Sequence, residues 1–174
     1  MKEVGILVFL LVILSLATVW DYKSGKIPNY LVIAGMGLGI VNILINENIT
    51  VIFKYIPGII FPILLFYPVY KIGGIGAGDL KLLSMLGFYF SFMEMTFCIF
   101  ISIFLGALLS LIKMAYYHNF WERLEYLFSY LRGIIFSGKI RYYDSTEDKE
   151  VLKKTKVHLA CPILLGVLVT GGIF

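Results

Sequence analysis

Long apolar stretches separated by short polar words set the pattern of this chain. The first stretch runs from Val4 to Trp20 and gives way abruptly to Asp21-Tyr22-Lys23-Ser24-Gly25-Lys26-Ile27-Pro28-Asn29. Five more follow, at about Tyr30 to Ile45, Val51 to Tyr70, Leu80 to Phe92, Met95 to Tyr116 and Val157 to Phe174. A helix needs roughly 17 to 25 apolar residues to cross the hydrocarbon of a bilayer, so the pattern predicts an all-α, polytopic membrane bundle of six transmembrane helices. The fourth stretch is short and opens against charged residues, as expected of a helix that starts at the surface or inside protein. The sixth is interrupted by Pro162 and several glycines, which packed membrane helices tolerate. A cleaved signal peptide is the competing reading of the first stretch, because Lys2 precedes it and Ser15-Leu16-Ala17 resembles a cleavage site. Against it, Glu3 offsets Lys2 and the stretch is long for such a segment.

Six crossings put both termini on one side. Every basic residue except Lys2 and Lys54 falls in the loops of the other side, so the positive-inside rule places those loops in the cytoplasm and both termini outside. One long cytoplasmic segment, about 118–156, precedes the last helix. Its first half, Phe120 to Arg132, mixes aromatics with charges at a spacing suited to a helix along the interface, and its second half, Tyr142 to Lys156, is almost wholly polar. No repeat or long linker divides the chain, so residues 1–174 read as one membrane-embedded domain.

Composition agrees with that picture. The chain is 60% hydrophobic and only 15% charged, against about 25% charged in an ordinary soluble domain. The formal net charge of +4 is accounted for by the topology and implies no nucleic-acid partner. Cys98 and Cys161 lie in apolar stretches, and His118 and His158 flank the cytoplasmic segment without ligand spacing, so neither a disulfide framework nor a metal site is expected. The cysteines read as small packing residues, the histidines as interfacial packing, and Glu94 as a solvated acid at an outer turn. Pro28-Asn29 ends the first loop and starts the second helix.

Acids are scarce inside the apolar stretches, which isolates two of them. Asp21 ends the first crossing, and Asp79 sits in Gly73-Gly74-Ile75-Gly76-Ala77-Gly78-Asp79-Leu80-Lys81 at the start of the fourth. The topology brings both to the same boundary, where neighbouring helices can hold them face to face. Two facing carboxylates cannot both ionise at low cost; they share a proton, polarise a water and protonate a leaving amine, which is the chemistry of an aspartic protease. Glycines beside the acid admit unusual backbone dihedrals and the close approach of an extended peptide. The plainer reading is that Asp21 is an interfacial charge paired with Lys23 and that Asp79 caps a helix. Lys23 and Lys26 serve as topology signals, while Lys81 is balanced between that role and steering the acids.

Asp21 followed by Ile27-Pro28-Asn29, then Gly76-Ala77-Gly78-Asp79-Leu80-Lys81, closely resembles the prepilin peptidase family, the membrane aspartic proteases of the GxGD type. The chain looks like a small member, such as those serving Flp or Tad pili, with archaeal preflagellin peptidases as close relatives. The stretch Ala160-Cys161-Pro162-Ile163-Leu164-Leu165-Gly166 is similar to the proline-containing start of the family's last helix, except that Cys161 stands where many relatives have a small or aromatic residue. The resemblance implies a catalytic pair Asp21 and Asp79, with Gly76, Gly78 and Lys81 in supporting or substrate-binding positions and no cofactor. It implies cleavage of the short basic leader from prepilin-like or preflagellin-like proteins at the cytoplasmic face of the plasma or inner membrane of a bacterium or archaeon. Larger members carry a cysteine-rich cytoplasmic insertion and also N-methylate the product. The first loop here holds no cysteine, so that second activity is expected to be absent. The rival reading is a non-enzymatic transporter subunit or assembly factor whose two aspartates bind a cation or proton.

Overall fold

The computed structural model describes residues 2–46, 51–117, 120–137 and 158–173. Its elements are all α-helices: α1 (Lys2–Ser24), α2 (Asn29–Asn46), α3 (Ile52–Lys71), α4 (Ala77–Leu86), α5 (Phe92–Tyr116), α6 (Phe120–Ser137) and α7 (Ala160–Ile173). Three of them, α1 over Gly5–Ser24, α3 and α5, are long and apolar enough to cross a membrane, and α2 and α7 are shorter apolar helices. Outward-facing Phe9, Phe53, Phe100 and Phe104 are each more than half exposed, a surface that suits hydrocarbon rather than water.

The fourth apolar stretch departs from expectation. Instead of one helix from Leu80 to Phe92, α4 begins at Ala77 and stops at Leu86 after 10 residues. At 1.5 Å per residue it spans ~15 Å, about half the hydrocarbon core, so α4 alone is too short to cross. Its last five residues, Leu82 to Leu86, are all buried, because α2, α3 and α7 pack around it. Short i→i−3 bonds then close the chain into a turn: Gly87 N donates to Ser84 O at 3.2 Å and Tyr89 N to Leu86 O at 2.9 Å. A second departure lies at the start of α5. Glu94 is no bystander acid: its carboxylate accepts from Ser91 N at 2.7 Å while Ser91 Oγ accepts from Glu94 N at 3.5 Å, a capping box that starts α5 at Phe92.

Two kinds of contact set the helix positions. Leu10, Leu14 and Ala17 lie on one stripe of α1, and Ala160, Ile163 and Val167 lie on one stripe of α7; all six are buried in the common core of these packed helices. Elsewhere glycine lets backbones meet, as is usual where lipid supplies no hydrophobic drive between helices. A β-carbon at Gly87 would lie 2.5 Å from both the carbonyl carbon of Gly58 and the amide nitrogen of Ile59. On α2, a β-carbon at Gly39 would meet Phe88 Cβ at 2.6 Å, and one at Gly35 would run into the Met85 side chain. Tyr89 fixes the same junction by donating its hydroxyl to Gly35 O at 2.6 Å.

The helix expected between Phe120 and Arg132 is present as α6 and extends to Ser137, with Trp121, Phe128, Ile135 and Phe136 exposed. His118 and the polar half of that segment, Tyr142 to Lys156, lie outside the described residues.

The α3–α4 contact gives a measurable contrast. Gly87→Val is expected to destabilise the bundle by at least about 2 kcal/mol, since the obstacle is backbone and no rotamer relieves it. Gly37→Ala, whose new methyl meets nothing within 4 Å, is expected to be neutral or to gain up to about 1 kcal/mol from helix propensity. Thermal unfolding in one detergent, read by circular dichroism, compares the two.

Candidate functional site

Asp21 lies inside α1, one turn before its end, rather than in a loop after the helix. The helix continues through Ser24 and is capped by Gly25, whose φ of 65° lets its N–H reach back to Asp21 O at 2.7 Å. The connection between α1 and α2 is therefore only residues 25–28. Ser24 Oγ tightens it, lying 2.8 Å from Trp20 O and 2.9 Å from Lys26 O, and the Trp20 and Tyr30 rings meet edge to face across it at 6.3 Å. The Asp21 side chain points inward and is 8% exposed.

Asp79 arrives from the other direction. The chain leaves α3 through a Schellman motif, with Gly74 N donating to Val69 O and Gly73 N to Tyr70 O, both at 2.9 Å, and Gly73 at φ 83°. Gly76 is the extended N-cap of α4, which puts Asp79 in the first turn, where the helix dipole favours a carboxylate. A β-carbon at Gly76 would stand 3.1 Å from Asp79 Oδ2, so the glycine keeps room for that oxygen.

The glycine run does not carry unusual backbone dihedrals throughout. Gly73 alone in it has positive φ, and Gly78 is helical. The expectation that Gly78 serves through positive φ is corrected: its lack of a side chain lets α4 seat against Ile27, three of whose carbons would lie 3.1 to 3.2 Å from an added β-carbon. Lys81 adds a polar tie at the same junction, donating from Nζ to Asn29 Oδ1 at 2.9 Å. In this way the Ile27-Pro28-Asn29 word and the Gly-Ala-Gly-Asp-Leu-Lys word touch each other directly.

Asp21, Gly76, Gly78, Asp79 and Lys81 all line one cleft of about 590 Å³ at this end of the bundle. Lys26 lines it too, whereas Lys23 does not. One wall is a residue that pattern alone assigned to packing: His158, just before α7, brings Nδ1 to 3.2 Å from Asp21 Oδ2, with its ring 5.8 Å from that of Tyr22. Nothing near His158 in sequence signals this, because its neighbour is supplied by the packing of α7 on α1. Among the described residues no cluster of three or more His, Cys, Asp or Glu has metal-binding geometry. What the cleft offers is two carboxylates from different helices, flanking cations and room for an extended peptide.

Against models of known families, residues 8–111 match the type IV leader peptidase family. That range contains both aspartates and both motif words, and stops short of His158. No curated protein and no solved structure gives a significant match.

Because Gly78 and Lys81 join the same two segments, changes there are expected to act on cleft geometry. Gly78→Val pushes on Ile27 and is expected to reduce turnover at least tenfold in a folded protein. Lys81→Met and Asn29→Ala, combined in a double-mutant cycle, are expected to show a coupling of about 0.5–1 kcal/mol in unfolding, modest because the contact is exposed.

Proposed function

This chain belongs to the type IV leader peptidase family, and from that premise we propose that it is a membrane aspartic endopeptidase with Asp21 and Asp79 as its catalytic pair. The observation that supports the pair is their convergence: one comes from the last turn of α1, the other from the first turn of α4, and both face one cleft. In the proposed reaction one carboxylate is ionised and takes a proton from a water placed between them. The other is protonated and hydrogen-bonds the scissile carbonyl. Water oxygen adds to the carbonyl carbon, and the resulting tetrahedral species expels the amine as a carboxyl proton passes to its nitrogen. The reaction consumes one water and needs no metal or organic cofactor. Acids serving a cation path would be strung along the bundle toward its middle, whereas these two share one mouth, which disfavours the transporter reading.

The substrate is a prepilin-like or preflagellin-like protein, cut between its short basic leader and its apolar helix. In the six-crossing topology the cleft opens to the cytoplasm, the leader stays among the headgroups, and the apolar helix enters the bilayer beside the bundle. The connection 25–28 leaves no room for a methyltransferase insertion, so the product amino terminus is left unmethylated.

Asp21→Asn and Asp79→Asn are each expected to abolish cleavage of a co-expressed prepilin, with membrane insertion and melting unchanged, since an amide supplies neither the charge nor the proton. Measurable turnover by either folded variant would remove the aspartic assignment. The purified enzyme is further expected to keep its rate in excess chelator, and mass spectrometry should find an unmethylated product after incubation with S-adenosylmethionine.

A further inference from the structure

We propose that His158 is a positioning residue for peptide hydrolysis: it fixes the plane of the Asp21 carboxylate so that one oxygen stays on the imidazole and the other faces the cleft. The inference rests on the reading of Asp21 and Asp79 as the catalytic pair. A carboxylate on a helix rotates about the bond to its β-carbon with little resistance, and an aspartic protease gains only from orientations that aim an oxygen at the shared water. Asp21 therefore needs a fixed partner on its non-reacting side. His158 Nδ1 stands 3.2 Å from Oδ2, on the side of the cleft supplied by α7. The approach lacks the alignment of a finished hydrogen bond, as is common for catalytic contacts before substrate binds and draws them tight.

Two features make this more than chance packing. The imidazole presents a nitrogen to the acid, while the Tyr22 ring packs beside it, 5.8 Å away and tilted by 55°. The helix that follows it is anchored at once by buried Ala160 and Ile163, in the same core as Leu14 and Ala17 of α1, so residue 158 stands beside residue 21 only two residues ahead of a packed helix. The other charged groups lining the cleft are Lys26 in the connection and Asp79 and Lys81 on α4; on α5, Lys113 lies two turns beyond Gly106, the glycine packed nearest Leu159. Lys81 is engaged by Asn29. His158 meets Asp21 within hydrogen-bonding distance.

Two substitutions separate positioning from packing. His158→Phe keeps a ring against Tyr22 and removes the nitrogen. His158→Asn removes the ring and keeps an amide nitrogen at the position of Nδ1. Positioning predicts that the Phe variant loses kcat between about tenfold and a hundredfold at unchanged KM, and that the Asn variant stays within a few-fold of wild type. A Phe variant at full rate, a loss confined to KM, or an Asn variant as impaired as Phe overturns the proposal. A spectroscopic readout covers the case in which a variant does not fold. The chain has two histidines, so His118→Gln leaves His158 as the single imidazole; its 15Nδ1 resonance should move when Asp21 is changed to Asn, and an unmoved resonance overturns the contact. An Asp21→Asn variant that still cleaves removes the catalytic reading. A dead Asp21→Asn beside a fully active His158→Phe removes this inference alone.

Discussion

The seating of α4 against the backbones of its neighbours is the constraint from which the rest follows. A ten-residue helix cannot satisfy a bilayer by length, so it must be sheathed, and sheathing brings α3 and α2 close where Gly87, Gly35 and Gly39 carry no side chain. Once α4 is seated in this way, its first turn has one place to be. Gly78 in that turn meets Ile27 of the α1–α2 connection, Lys81 meets Asn29, and the carboxylate of the first turn lines the same cleft as the one that ends α1. Helix packing in the middle of the bundle thereby sets chemistry at its end.

Much of this was legible in the chain. Apolar stretches located α1, α2, α3, α5 and α7 to within a few residues, because in lipid every backbone group must be satisfied within its own helix and hydropathy reports that demand directly. The two acids and their flanking words were legible for the same reason: a charge at a membrane boundary stands out against an apolar background. The end of α4 was not. Leu80 to Phe92 reads as one continuous run, whereas α4 ends before Gly87, where a side chain would strike the backbone of α3, a partner that no local window contains. Glu94 was misjudged through a local signal that was present, Ser91 three residues earlier, which forms the capping box.

His158 shows the limit more sharply. An imidazole after a polar stretch of sequence and before a proline-containing helix has no periodicity that tells packing from function. Its significance comes from Asp21, which lies far away in sequence and is brought near by the buried stripe of α1 on α7. Gly78 gives a related lesson. The sequence suggests a glycine valued for an unusual backbone angle, whereas in the structure Gly78 is helical and its missing side chain leaves room for Ile27.

The cleft is walled by α1, the α1–α2 connection, α4 and the residue before α7, so its parts are made at widely separated moments of synthesis. A ribosome feeding the membrane delivers Asp21 first, Asp79 only after two more helices, and the His158 wall last of all. Until α7 has inserted, the α1 stripe of Leu10, Leu14 and Ala17 has no partner from that side and the acid beyond it has no support. Completion of the last helix is the event that finishes the wall of the cleft.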